Sequence, residues 1–102
     1  MSWLSLFGKR KDINEGLAQF KSTPGAILLD VRTAEEYHSG HIPGSLNVSL
    51  DRIRGVRYRK DTPLFVYCQS GARSVRACVW LNSQGFAATN IGGIGRYRGD
   101  LA

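Results

Sequence analysis

The sequence predicts an α/β fold with a largely parallel sheet. Two short apolar runs, residues 26–31 and 63–68, are almost unbroken by polar positions, which is typical of strands buried on both faces. Helical patterns at residues 12–20 and 74–84 are interleaved with these runs. Strands that alternate with helices favour a parallel sheet, because parallel strands need helical crossovers between them.

The composition is that of one ordinary globular domain, at 42% hydrophobic and 22% charged residues. We expect a single domain over residues 1–102, with residues 1–11 as an apolar and basic N-terminal extension and residues 12–102 as the core. No apolar stretch approaches the roughly 20 residues that span a bilayer. The opening MSWLSLFGKRK places its charge after its apolar residues, unlike a secretory signal. We therefore expect a cytoplasmic monomer without stable membrane insertion, whose apolar N-terminal residues pack on the domain.

The first predicted helix begins after Asp12, a suitable N-cap, and Glu15 stands three residues later as in a capping box. The run TPG ends this helix, and the first strand follows at residues 26–31. Apolar residues recur in the helix at helical spacing: Ile13, Leu17 and Phe20.

Three short elements are predicted between the two strands. Thr33 caps one or two helical turns, with Glu36 at the third position of a second capping box. An extended piece follows at residues 45–50. The basic segment 52–60 is ambiguous, and we interpret it as a poorly formed helix interrupted by Gly55.

The second half contains the clearest helix. Pro63 opens the second strand at a position where proline is tolerated. The helix at residues 74–84 ends at Gly85 in the C′ position, and residues 87–91 are a candidate last strand. One stripe of the helix contains Val75, Cys78, Val79 and Asn82, and an adjacent apolar stripe contains Ala77 and Leu81.

Cys68 is the candidate functional residue, because it ends the second strand where a loop leads into a helix. The loop QSGAR can turn successive N–H groups toward the sulfur, since Gly71 permits the required conformation. A helix that begins near Ala72 or Arg73 points its positive end at the thiol, and helix N-termini and cations lower thiol pKa values. The alternative is that Cys68 is a small buried residue that ends a strand.

The segments LLDVRTAEEYHSGHIPGSLNVSL, FVYCQSGARS, LNSQGF and NIGGI resemble the rhodanese (sulfurtransferase) family, in the family's order. The resemblance runs from about Ala26 to Tyr97 and includes a D-x-R-x-x-x-E-Y-x-x-G-H-I-P-G-S-x-N signature and a C-x-x-G-x-R-S loop. It implies the single-domain rhodanese-like fold, with a central parallel sheet of four to five strands and helices on both faces. The family's tryptophan near the C-terminus is replaced by Tyr97.

The resemblance implies sulfur transfer through a persulfide on Cys68, with no other cofactor. The donor would be thiosulfate or a persulfide-bearing protein, and the acceptor cyanide, a thiol or another protein's cysteine. The active-site loop would bind the persulfide and the substrate through Gln69, Ser70, Gly71, Ala72, Arg73 and Ser74.

Several site residues have two interpretations. Arg73 either binds an oxyanion donor in two-point fashion or pairs with an acid. Asp30 and Arg32 are structural or line the pocket, and Glu36 either pairs with Arg32 or caps its helix. We expect His41 to bond to backbone in a turn.

The remaining candidates are assigned to the scaffold. We expect His38 to be exposed and Cys78 to lie in the core, since the helix carries it roughly 10 Å from Cys68. The two histidines are dispersed and no C-x-x-C pair is present, so no metal site is proposed.

The net charge of +6 comes largely from residues 9–11 and 52–60. Basic surfaces favour anionic partners, but a solvated face without a partner is the commoner case. No nucleic-acid-binding motif is present.

Two other functions remain open. A rhodanese-related phosphatase or arsenate reductase would have five residues between cysteine and arginine, where this chain has the four residues 69–72. A non-catalytic binding module of this family usually lacks the cysteine, which is present here as Cys68.

Overall fold

The computed structural model describes residues 11–102, so the expectations for residues 1–10 lie outside the described part. We number its elements in chain order: α1 (Ile13–Lys21), β1 (Ile27–Asp30), α2 (Ala34–Ser39), β2 (Leu46–Asn47), β3 (Pro63–Cys68), α3 (Ala72–Ser83) and β4 (Ala87–Gly93). Two 3₁₀ helices, Leu50–Gly55 and Ile94–Arg96, follow β2 and β4.

The described strands form one parallel sheet in the order β2-β1-β3-β4. The chain moves outward from β1 in one direction to β2 and in the other direction to β3 and β4. The order therefore reverses between β1 and β3, and ligands of open parallel sheets bind beyond the carboxyl ends of the strands at such a reversal. Cys68 ends β3 and Asp30 ends β1, so both lie at this edge.

Each face of the sheet packs against helices, which confirms the predicted fold class. On one face, α1 buries Ile13 and Leu17 against Phe65 and Tyr67 of β3. On the other face, α3 and the first 3₁₀ helix cover the alternate residues of β3, Leu64, Val66 and Cys68. This alternation follows from the two-residue period of a strand, and it directs Cys68 toward α3.

The predicted elements agree with the structure except in detail. α1 is capped by Asp12, whose carboxylate accepts a hydrogen bond from Asn14 N–H at 2.9 Å, but the Glu15 side chain makes no reciprocal bond among the described residues, so this capping box is wrong. Around Thr33 and Glu36 the predicted box is present. The basic segment 52–60 is helical only in its first residues, which belong to the 3₁₀ helix Leu50–Gly55, and the helix does not resume after Gly55.

The two stripes of α3 differ in burial. Ala77, Cys78 and Leu81 are buried, whereas Val75 is 48% and Val79 67% exposed. The predicted stripe that contains Val75, Cys78 and Val79 is therefore not buried as a whole, since Cys78 alone of these three is buried. No helix within residues 11–102 is long and apolar enough to span a membrane.

Candidate active site

Cys68 lies at the bottom of the loop that joins β3 to α3. Its side chain is only 1% exposed. The sulfur accepts hydrogen bonds from Gly71 N–H at 3.0 Å and from Ser74 N–H at 3.4 Å, and the Ser74 hydroxyl is also 3.4 Å away. Two main-chain donors and one hydroxyl thus surround a sulfur that solvent barely reaches.

The pKa of the Cys68 thiol is lowered from its usual value. Burial alone raises this pKa, because it removes the thiolate from water, but hydrogen bonds that the thiolate accepts from the Ser74 hydroxyl, from Ser74 N–H and from Gly71 N–H outweigh it. A lowered pKa increases the fraction of thiolate at neutral pH, and the thiolate is the nucleophilic form. The site therefore favours a reactive cysteine.

Two glycines allow the loop to close on the sulfur. Gly71, whose N–H donates to Cys68 Sγ, has a φ of 103°, a left-handed conformation that side chains rarely adopt. Gly93, at the end of β4, lies against the loop backbone, and a Cβ there would stand 2.7 Å from Ser70 Cα. β4 therefore supports the loop from the side through direct backbone contact.

The outer side of the loop forms one wall of an open cavity of about 660 Å³. Its predicted loop residues Gln69, Ser70, Gly71 and Ala72 line the cavity, and Val75 continues the wall along α3. Two cations, Lys11 and Arg96, also line the cavity. An anion that approaches the loop thus meets a basic environment that does not involve Arg73.

Arg73 points away from this cavity and pairs with an acid. Its two terminal nitrogens donate to the two carboxylate oxygens of Glu36, at 2.7 and 2.9 Å. This is the second of the two interpretations of Arg73. Glu36 pairs with Arg73 and not with Arg32, and it also caps α2 by accepting from Thr33 N–H at 2.9 Å.

Asp30 and Arg32 form a buried ion pair. Asp30 is 0% and Arg32 3% exposed. The guanidinium donates to both carboxylate oxygens at distances of 2.7 to 3.0 Å and to Gly40 O at 2.8 Å. Because the pair closes on itself inside the protein, the structural interpretation fits both residues, and neither lines the cavity outside the Cys68 loop.

The histidines and Cys78 lie away from the sulfur's hydrogen-bond partners. His41 Nδ1 is 3.0 Å from Tyr37 O and its ring stacks on that of Tyr37, as expected for a residue of the turn, while His38 is exposed. Cys78 is a buried member of the core on the α3 face, and burial raises its pKa to about 12. Cys78 is therefore a thiol at neutral pH.

Three residues of this region were missed by the sequence analysis: Lys11, Asn90 and Arg96. Asn90, in β4, accepts a hydrogen bond from the Ser74 hydroxyl at 2.7 Å. Its signal in the sequence was an amide within the last predicted strand, two residues before the pair Gly92–Gly93. Within residues 11–102, no three His, Cys, Asp or Glu side chains cluster as a metal site.

The fold and the site together define an α/β domain with an amide-cradled cysteine at the carboxyl edge of its sheet. The chain belongs to the rhodanese-like family, because residues 13–98 match the family model described as rhodanese-like domain. It is 38% identical to a sulfurtransferase of Allochromatium vinosum, over 72% of this chain and 71% of that protein. It is also 38% identical to the thiosulfate sulfurtransferase GlpE of Pseudomonas savastanoi, over 69% of this chain and 68% of that protein.

Solved structures agree with this assignment. The crystal structure of a rhodanese-like domain protein from Staphylococcus aureus is 27% identical and superposes with a TM-score of 0.79, over 92% of this chain and 96% of that one. Other relatives are much longer: the chain spans 23% of a probable molybdopterin-synthase adenylyltransferase of Pyropia yezoensis and 17% of a tRNA sulfurtransferase of Desulfurococcus amylolyticus. The family match and the two sulfurtransferases support a rhodanese-type enzyme and sulfurtransferase activity at the level of the family.

Proposed function

We propose that this chain moves a sulfane sulfur from thiosulfate or a persulfide donor to a thiophilic acceptor through a persulfide on Cys68. The observation that carries the proposal is the set of groups around Cys68 Sγ: Gly71 N–H and Ser74 N–H donate to it, and the Ser74 hydroxyl lies 3.4 Å away. These groups stabilise a thiolate without a general base, and a buried thiolate with a lowered pKa is a suitable nucleophile.

The first step is attack of the Cys68 thiolate on the outer sulfur of thiosulfate. A bond forms between Sγ and that sulfur, the S–S bond of the donor breaks, and its electron pair leaves with sulfite. With a persulfide donor, the leaving group is the donor's thiolate. Donors fixed around the sulfur stabilise the charge before and after transfer, in the manner of an oxyanion hole.

The second step is attack of a nucleophilic acceptor on the terminal sulfur of the Cys68 persulfide. Cyanide gives thiocyanate and a thiol gives a new persulfide, and in both cases the Cys68 thiolate is the leaving group. The electrons balance among donor, cysteine and acceptor. Between the two steps, the transferred sulfur is carried by the Cys68 side chain itself.

The surroundings of the loop favour an anionic donor. Lys11 and Arg96 line the cavity outside the loop, and cations that line a cleft raise the local concentration of anions. Thiosulfate is a dianion, and a persulfide is ionised more readily than a thiol. A relay partner that carries a persulfide is also consistent with the longer relatives, in which a domain like this one forms part of a larger protein.

Phosphate chemistry is supported less well. An arginine that binds a phosphoryl group must point its nitrogens into the loop, but those of Arg73 are bonded to Glu36 at 2.7 and 2.9 Å. The loop also has four residues, 69–72, before the arginine. A binding module without chemistry would not require the sulfur to be surrounded by donors.

The test is intact mass spectrometry after incubation with thiosulfate. We expect a mass gain of one sulfur atom, removal of that sulfur by cyanide, and no gain in Cys68→Ser. Cys78→Ser is the matched control, and it should gain the sulfur as the unaltered protein does. Release of phosphate from an aryl phosphate, with no sulfur bound to Cys68, would contradict the proposal.

A further inference from the structure

The Ser74 hydroxyl has one proton and three neighbours that can accept it. Asn90 Oδ1 is at 2.7 Å, Gly71 O at 3.0 Å and Cys68 Sγ at 3.4 Å. A hydroxyl donates one hydrogen bond at a time and can accept two. Whether Ser74 stabilises the thiolate therefore depends on which neighbour its proton faces.

The amide of Asn90 is held in one orientation. Gly92 N–H donates to Asn90 Oδ1 at 3.0 Å, and a main-chain N–H can only donate. The amide oxygen, and not its NH₂ group, must therefore face Gly92. A register shift in the pairing of β3 with β4, between Val66 and Tyr67, places Gly92 where it makes this bond.

The same oxygen then receives the hydroxyl proton. Two oxygens 2.7 Å apart repel each other unless a proton lies between them, and an amide oxygen has none to give. Ser74 must accordingly donate to Asn90 in the described arrangement. Its lone pairs then face Cys68 Sγ, an environment that suits a thiol that donates S–H and disfavours a thiolate.

We propose that Asn90 is a positioning residue for Cys68, which holds the proton of the Ser74 hydroxyl away from the sulfur while Cys68 is a thiol. When the thiol proton leaves to solvent, the hydroxyl turns, breaks its bond to Asn90 and donates to the thiolate. The balance between these two orientations sets how readily the cysteine ionises. This proposal rests on the proposed function of Cys68 as the nucleophile.

Several other charged or titratable groups lie around Cys68. Arg73 stands in α3 and is paired with Glu36 of α2, Cys78 lies on α3, Asp30 of β1 is paired with Arg32, and Lys11 precedes α1. Asn90→Leu replaces one uncharged residue with another and leaves all these groups in place. A change in the ionisation of Cys68 in this variant thus reports on Asn90 and Ser74.

The experiment is the pH dependence of alkylation of Cys68 by iodoacetamide. Asn90→Leu removes the acceptor of the hydroxyl proton, and we expect the midpoint, the pH of half-maximal alkylation rate, to fall. Below the midpoint, the alkylation rate should rise ~3–10-fold, which is the range that one hydrogen bond of typical strength gives. Gly71 O still competes for the proton, so the shift is partial. Asn90→Asp keeps an acceptor for Gly92 N–H and is expected to raise the midpoint.

A double-mutant comparison separates this role from a general effect on the fold. In a Ser74→Ala background, Asn90→Leu should no longer shift the midpoint, because no hydroxyl proton remains to be released. Asn82→Leu is the matched control, since Asn82 also joins α3 to β4, through two hydrogen bonds to Ala88 at 2.8 and 3.0 Å. It should leave the midpoint unchanged.

The pH midpoints of the Asn90 and Ser74 variants decide whether Asn90 positions the Ser74 hydroxyl. An unchanged midpoint in Asn90→Leu, or an equal shift with and without the Ser74 hydroxyl, would overturn the positioning role. Alkylation needs no sulfur donor, so the result does not depend on transferase activity. If Cys68 takes no sulfur from thiosulfate but the midpoint shifts as expected, the proposed function fails while the positioning role stands.

Discussion

Arg73 and Glu36, 37 positions apart in the chain, form a two-point ion pair, with N–O distances of 2.7 and 2.9 Å. The same carboxylate caps α2 through Thr33 N–H. One side chain therefore fixes the first turn of α2 to the first turn of α3, directly after the loop that holds Cys68. The cation that sequence motifs place in the active-site loop acts here as an anchor of that loop.

Glu36→Gln is expected to weaken this anchor. Glutamine keeps the capping interaction, as it is also found in capping boxes, but loses the charge opposite Arg73. Both side chains are about one-third exposed, so we expect a loss of only about 1 kcal/mol in the free energy of unfolding. Urea denaturation measures it, and Glu35→Gln, on the exposed side of the same turn, is the control.

The loss of stability caused by Glu36→Gln should become smaller as the pH falls. The hydrogen bonds from Arg73 lower the pKa of Glu36 from 4.5 to about 2. A lowered carboxyl pKa contributes stability that is fully present above the unfolded value and is lost as pH falls through the folded value. The difference between the unaltered protein and Glu36→Gln should be constant above about pH 5 and shrink toward pH 2. A difference that grows on acidification would refute this assignment.

The two cysteines should differ in reactivity. Hydrogen bonds lower the pKa of Cys68, whereas burial raises the pKa of Cys78 to about 12. At pH 7–8 we expect iodoacetamide to label Cys68 alone in the folded protein and both cysteines after unfolding in guanidinium chloride. Peptide mapping identifies the labelled residue. Equal labelling of both in the folded protein would show that Cys78 is not a core thiol.

Arg32→Ala should be severely destabilising. It leaves the carboxylate of Asp30, which is 0% exposed, without its partner inside the protein. Breaking a buried pair on one side typically costs about 3–5 kcal/mol. The comparison is Arg59→Ala, which breaks the exposed pair with Asp61 and should change stability by less than about 1 kcal/mol. Thermal unfolding of the two variants in parallel measures the contrast.

Gly93→Ala is expected to damage the loop more than the fold. The added Cβ would meet the backbone of Gln69 and Ser70, with Ser70 Cα at 2.7 Å, and backbone cannot move aside cheaply. Displacement of the loop alters the donors around Cys68, so sulfur loading from thiosulfate should fall at least ~10-fold, as loss of transition-state hydrogen bonds of this kind does. Gly55→Ala, where nothing lies within 4 Å of a Cβ, is the control. Equal loading by both variants would show that β4 does not support the loop.

The sequence predicted what depends on neighbouring residues. The two-residue and 3.6-residue periods located the strands and helices, the Thr33–Glu36 spacing predicted the cap of α2, and the position of Cys68 between a buried strand and a helix indicated the candidate nucleophile. These features are local, since each is decided within a few positions of the chain. The resemblance of the signature segments then gave the family, which the match over residues 13–98 shows.

Only the tertiary structure decided which partners distant residues take. The sequence left open whether Arg73 pairs with an acid and with which one, and the placement of α2 beside α3 selected Glu36. The packing of α3 against β4 brought the Ser74 hydroxyl to Asn90, and it exposed Val75 and Val79 while it buried Cys78. Sequence periodicity gives the faces of an element but not the neighbour that each face meets, because that depends on how the sheet and its helices pack together.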